Sequence, residues 1–229
     1  METLSFILEN GGLISLLLGQ HLLIVGLAVG LAILTGVPVG IAISQHPRTR
    51  RWVLAFAAVL MTIPSAALFG LMIPALSLIG YGIGVVPAVI ALFLYSQLPI
   101  IRNTTTAISN IDPALREAAI GMGMSTWQRL RKVELPIAVP LIMAGVRMAT
   151  VINIGIAAIA AYIGAGGLGS LIIRGIAQSD TRQLLAGAIV ISVIAIAADY
   201  TLYGLQRLLT PKGLNKNKVA TGRMKEATT

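Results

Sequence analysis

Apolar residues run in five long stretches, about Leu22–Ile43, Val53–Ile79, Val85–Ile101, Ile137–Ile163 and Leu184–Leu205. A helix takes roughly 20 apolar residues to cross the hydrocarbon core of a bilayer. A helix also satisfies its own backbone hydrogen bonds, which lipid cannot do. The expected fold is therefore an all-α integral membrane protein with about five transmembrane helices. The first eighteen residues carry Leu4, Ile7, Leu8, Leu13 and Leu16–Leu18, and are read as a short interfacial helix broken at Gly11-Gly12. This divides the chain into an interfacial segment (1–19), a transmembrane domain (20–210) and a basic tail (211–229).

The largest polar interruption runs from Ile111 to Pro140, between the third and fourth stretches. Asp112-Pro113 is a helix start: the carboxylate accepts free N–H groups and proline suits the first helical position. Gly121 and Gly123 then loosen the backbone. Ser125 and Gln128 have the spacing of a capping box. Two short helices joined by a glycine bend are expected, the second stopping before Pro136, with Trp127 and Leu130 on one face. Such an insert suits either an amphipathic element lying on anionic lipid or a docking surface for a partner.

Helix breakers and small residues add detail. Pro38, Pro64 and Pro74 lie inside spans, where proline removes a backbone bond and can kink a helix. Gly26/Gly30 and Gly36/Gly40 are small-xxx-small pairs that permit close approach of another helix.

Charge sets the orientation. Basic residues collect on the cytoplasmic side of membrane proteins. With five spans, 14 of the 17 lysines and arginines fall on one side. They lie in the loop after the first span (Arg48, Arg50, Arg51), in the insert and just before it (Arg102, Arg116, Arg129, Arg131, Lys132) and in the C-terminal segment (Arg207, Lys212, Lys216, Lys218, Arg223, Lys225). The N-terminus is expected outside and the C-terminus inside. Glu2 and Glu9, with no basic neighbour, do not resemble the start of a cleaved signal peptide.

Composition narrows the chemistry. The chain is 56% hydrophobic and only 11% charged, whereas an ordinary soluble domain is about a quarter charged. Its formal charge of +9 is accounted for by the basic flanks of the spans, and no nucleic-acid partner is expected. There is no cysteine, which excludes thiol catalysis and disulfides. His21 and His46 are too few and too separated for a metal site, and no cofactor is expected.

Within the insert, Glu117-Ala118-Ala119, three residues, Gly123, nine residues and Val133-Glu134-Leu135-Pro136 follow one another. This spacing resembles the EAA loop of ABC importer permeases, with Val133 where isoleucine is usual. The resemblance implies the type I importer permease fold and a coupling helix docked in a groove of an ATPase subunit. It places Glu117, Ala118, Ala119, Gly123, Leu135 and Pro136 in that role. Small alanines suit close docking, Gly123 a bend, and Glu117 a pair with a basic residue of the partner.

Further segments, among them Pro64-Ser65-Ala66-Ala67, Leu98-Pro99-Ile100-Ile101-Arg102-Asn103-Thr104, Gly145-Val146-Arg147 and Gly164-Ala165-Gly166-Gly167-Leu168-Gly169, look like permeases for glycine betaine, carnitine, choline and proline. The resemblance implies a bacterial inner-membrane subunit of a binding-protein-dependent importer. Its partners would be a second permease chain, a separate ATPase and a separate periplasmic or lipid-anchored solute-binding protein. The chain has no G-x-x-x-x-G-K-[ST] of its own, so it is not expected to be an enzyme.

Arg147 and Asp199 are the only charges deep inside spans, where charge is costly and usually paired or functional. Arg147 lies about 15 Å from the cytoplasmic start of the fourth span and Asp199 about 9 Å from the end of the fifth, at 1.5 Å per residue. A salt bridge is expected between them, as a clamp or as part of a transport route. Thr150 and Asn153 continue from Arg147 at three-residue spacing, either facing a translocation path or bonding a neighbouring helix. Phe69, Tyr81, Phe93, Tyr95 and Tyr162 are the membrane-located aromatics, and they compose no evident cage for a quaternary ammonium. Gly164, Gly166 and Gly169 spell a dinucleotide fingerprint without the strand it needs. They are read as a turn at the outer surface before a short apolar element, Ser170–Ile176. An ion-coupled secondary transporter using Arg147 and Asp199, an ABC permease for another small solute such as an amino acid, and a membrane-anchored scaffold remain the alternatives.

Overall fold

The computed structural model describes residues 2–211, and no strand occurs among them. Lys212, Lys216, Lys218, Arg223 and Lys225 of the basic tail lie outside the described residues. Among the described residues four helices are long and apolar enough to cross a membrane, and a bent pair brings the number to five when counted as one span. The first is α2 (Gly11–Ser44), preceded by α1 (Glu2–Glu9). At 34 residues, α2 is about 51 Å long, more than the hydrocarbon core requires.

The start of α2 corrects one expectation. Gly11 and Gly12 are helical, and the break falls at Asn10, whose Nδ2 donates to the Phe6 carbonyl at 3.0 Å. Residues 11–19 are therefore continuous with the first candidate spanning helix.

The second stretch is two helices, α3 (Pro47–Thr62) and α4 (Ser65–Ser77), bent by 98°. Pro64 causes the break, and Ile63 before it is extended at φ −67°, ψ 127°, as a residue preceding proline prefers. Tyr95 donates its hydroxyl to the Ile63 carbonyl, giving that broken backbone a partner. Pro38 and Pro74, by contrast, sit within continuous helices.

The third span, α5 (Val85–Ser109), is the most enclosed of the spans and packs against α2, α3, α4 and α8. Gly40 of α2 lies against Thr104 and Ile101, and Gly36 against Ile100, so this pair seats α2 on α5. Gly26 and Gly30 meet nothing within 4 Å of an added Cβ. The main apolar core, with Ile24, Phe69, Leu92, Ile100, Ile154 and Leu168, lies among these helices.

After α5 come α6 (Pro113–Gly121) and α7 (Thr126–Arg129). A π-helical turn over Leu130–Glu134 then leads without interruption into α8 (Leu135–Ala157). The second helix of the insert does not stop before Pro136. The wider turn, in which Leu135 N–H donates to the Leu130 carbonyl, carries the chain past a proline that has no N–H for the normal ladder. The described residues close with a 3₁₀ turn (Ile159–Ile163), α9 (Gly169–Ala177) and α10 (Thr181–Leu209). The last helix packs on α8, α9 and α1.

Candidate coupling loop and intramembrane ion pair

Local sequence builds the polar loop. Asp112 accepts from Ala114 N–H at 2.9 Å and caps α6. Ser125 and Gln128 form a reciprocal capping box on α7. Between the helices Gly123 has φ +77°, a left-handed conformation, with open space around it. Its requirement is for backbone freedom and not for room.

The loop presents an uneven surface. Glu117 and Ala118 are exposed, whereas Ala119 is buried at 1% and turns into the protein. Ala119 therefore packs into the protein beneath the exposed Glu117 and Ala118. Leu135 packs with Leu130 on a small second core of Ala107, Ile108, Ile111, Ala138 and Ile142. Pro136 is half-buried at the head of α8. Trp127 stays exposed, so it does not share the buried face of Leu130. Leu115, Ile120, Met122 and Trp127 are exposed apolar residues in the same loop as Glu117. Large apolar side chains in a polar loop were the signal for this surface.

Beneath it lies a charge cluster absent from the motif reading. Glu134, only 4% exposed, accepts from Arg129 Nε at 3.0 Å and lies 3.1 Å from Arg116 Nε. The Arg116 contact is a charge contact, not an aligned hydrogen bond. Arg116 also donates through Nη2 to the Ile108 carbonyl near the end of α5.

In the membrane domain Arg147 of α8 meets Asp199 of α10 through two hydrogen bonds, at 2.9 and 2.8 Å. Its remaining Nη1 donates to Gln206 Oε1 at 3.0 Å, and the guanidinium lies 5.0 Å from the Tyr203 ring centre. Gln206 in turn donates to the Pro140 carbonyl at 2.9 Å. These contacts stitch the part of α8 nearest the polar loop to the C-terminal part of α10. An open cleft of about 720 Å³ runs along the pair, lined by Ala144, Met148, Val151 and Ala195 as well as the two charges.

Thr150 and Asn153 part company. Thr150 bonds its own helix at the Val146 carbonyl. Asn153 is fully buried and donates to Leu92 O and Ser96 Oγ of α5 at 3.1 and 2.6 Å. Asn153 thus bonds a neighbouring helix, one of the two expected arrangements. The glycine-rich turn is also tied inward. Gly164, Gly166 and Gly167 all have φ near +77°, and Gln20 Oε1 accepts from Gly167 N–H at 3.0 Å. The neighbouring His21 is buried with Nε2 3.0 Å from the Ile154 carbonyl. Gln20 did not stand out in the sequence, and His21 was weighed there only as a metal ligand, since their partners lie far along the chain.

Residues 28–213 match the family model described as "Binding-protein-dependent transport system inner membrane component". The chain belongs to this family. It is the multi-pass permease of an ABC importer. It is 57% identical to the osmoprotectant import permease protein OsmW of Salmonella typhimurium strain LT2, over 93% of this chain and 100% of that protein. It is 40% identical to the glycine betaine/carnitine/choline transport system permease protein OpuCB of Bacillus subtilis strain 168, over 95% of this chain and 98% of that one. Among solved structures, the inward-facing MetNI methionine ABC transporter superposes with a TM-score of 0.78 at 22% identity, covering 89% of the permease and 99% of that chain. That likeness identifies the fold, a type I importer permease.

Proposed function

We propose that the permease carries quaternary amine compatible solutes, such as glycine betaine, carnitine or choline, inward across the cytoplasmic membrane. The observation that carries this reading is the full-length similarity to OsmW and OpuCB, whose names state osmoprotectant and glycine betaine/carnitine/choline transport. ATP hydrolysis belongs to a separate ATPase subunit docked on the α6–α7 loop. The exposed Glu117 and Ala118, with Leu115, Ile120, Met122 and Trp127 near them, supply one acidic anchor and an apolar surface for that contact. A separate solute-binding protein delivers solute from outside, and a second permease chain completes the path.

The loop then lies in the cytoplasm, with the N-terminus outside, as the distribution of basic residues favours. Closure of the paired ATPases moves the loop, and rigid packing passes the movement to the spans. An ion relay through Arg147 is disfavoured, because Asp199 and Gln206 already hold its guanidinium.

Reconstitution tests the proposal. The permease is placed in liposomes with the ATPase and binding protein of its own cell, and labelled glycine betaine uptake is followed. Uptake that requires ATP and every component is expected. Uptake driven by an ion gradient without the ATPase would overturn it.

A further inference from the structure

The loop that meets the partner is mechanically useful only if it cannot swivel freely on the membrane domain. Its connections to that domain are few. Gly123 bends the chain between α6 and α7, and a π-helical turn, a less regular element than α-helix, joins α7 to α8. Both are places where a push could be dissipated.

Glu134 sits at the end of that turn, where these parts converge. Its carboxylate faces Arg116 of α6 and Arg129 of α7 at once. Arg116 also holds the Ile108 carbonyl of α5. One buried acid thus ties both loop helices to the root of α8, while Arg116 itself ties α6 to the end of α5. The cluster holds two positive charges and one negative. Buried ion pairs add little net stability, since desolvation offsets attraction, but they demand a particular geometry. That is the property a rigid joint needs.

We infer that Glu134 is a positioning residue for energy coupling: its clasp on Arg116 and Arg129 makes α6 and α7 move as one body with α8. The inference rests on the importer reading above and adds to it the residue that stiffens the joint. Glu134 lies under the loop at 4% exposure, so it acts through the arginines and not by touching the ATPase.

The test compares wild type, Glu134→Gln and the neutral triple variant Arg116→Gln/Arg129→Gln/Glu134→Gln. The triple variant leaves no unpaired charge and guards against simple failure to fold. Each is purified with the ATPase and binding protein of its own cell and reconstituted with labelled glycine betaine. Retained ATPase, ATP turnover and betaine taken up per ATP are measured. The chain has no cysteine, so spin labels can be placed at the exposed Ala114→Cys on α6, which is not one of the docking residues, and Met148→Cys on α8 in the full permease.

Both variants are expected to retain the ATPase and hydrolyse ATP, while uptake per ATP falls about tenfold, the scale of a typical coupling energy between sites. The label distance distribution should broaden in both. Unchanged uptake per ATP, or a distribution as narrow as wild type, would overturn the inference. Loss of the ATPase from both variants would also overturn it, because Glu134 would then merely hold the docking surface. A wild-type chain that neither retains the ATPase nor takes up betaine defeats the importer reading instead. The label distances then still decide whether the clasp sets the loop angle.

Discussion

Arg147 and Asp199 are 52 residues apart in sequence and share a two-point hydrogen-bonded ion pair between α8 and α10. The parallel N–H···O geometry holds both helices in one rotational setting, which a single contact would not. Gln206 and Tyr203 extend the contact along α10 by about two turns.

Removing one member of this pair should hurt more than removing both. Asp199→Ala leaves the Arg147 guanidinium without its counter-charge, held only by Gln206 and Tyr203, and is expected to destabilise the permease by about 1–2 kcal/mol, near the upper end for polar contacts between membrane helices. Arg147→Met combined with Asp199→Leu should recover most of that loss, since an apolar pair between the two spans can replace an ion pair shielded from water. Thermal unfolding in detergent checks the ordering. Betaine uptake in the double variant separates a clamp from a transport role: normal uptake identifies a clamp, and abolished uptake in a stable protein identifies a role in passage.

Gly123 has φ +77° with nothing near it. Gly123→Ala should therefore fail through strain and not through a clash, at about 1–2 kcal/mol for forcing a side chain into the left-handed region. Gly123→Asp should be milder in strain, because aspartate tolerates that region better, yet it adds a negative charge to the docking surface. The expected outcome is lower ATPase retention in both, with unchanged membrane insertion. Co-purification of the ATPase from solubilised membranes measures it.

The spans and the caps were legible because each is a local matter. Apolar runs announce α2, α5, α8 and α10, and Asp112 and Ser125 act on N–H groups within three residues. Pro64 was readable as a perturbation, but proline alone does not distinguish a kink from a 98° break; Pro38 lies in an unbroken helix. What decides is the surroundings, here a Tyr95 hydroxyl for the Ile63 carbonyl. The Arg147–Asp199 contact could be reached from depth because charges in spans are so few. The clasp on Glu134 could not, since a loop with several charges offers many pairings. Its geometry depends on a π-helical turn that no short pattern specifies.

Asp180 caps α10 from outside the span and gives a pH-dependent prediction. The Arg182 guanidinium, 3.2 Å away, holds the Asp180 carboxyl below the usual carboxylate range, helped by backbone N–H groups of Gln183 and Arg182. A lowered folded-state pKa contributes stability that is present above the unfolded value, about 3.9. It is lost as pH falls through the folded one. The stability difference between wild type and Asp180→Asn should be constant above about pH 5 and shrink as the acid form takes over. Unfolding midpoints of the two proteins across pH 3–7 (an approximate range set by the carboxylate titration) check this, and a difference that grows toward acid would contradict it.

Gly40 tests the seam between α2 and α5. A Cβ there would lie 2.7 Å from Thr104 Cβ and 3.1 Å from the Ile101 carbonyl. Backbone on one side and a branched side chain on the other leave little room to yield. Gly40→Val is expected to push the helices apart and destabilise the permease by about 1–3 kcal/mol, the usual range for overpacking. Gly30 lies on the same helix with no neighbour within 4 Å, so Gly30→Ala should leave the protomer's unfolding temperature unchanged or raise it slightly, since alanine is the better helix former. Measuring both in one detergent separates the effect of the seam from that of adding a side chain to α2. Equal losses at the two positions would show that helix composition, and not the contact with Thr104, governs the result.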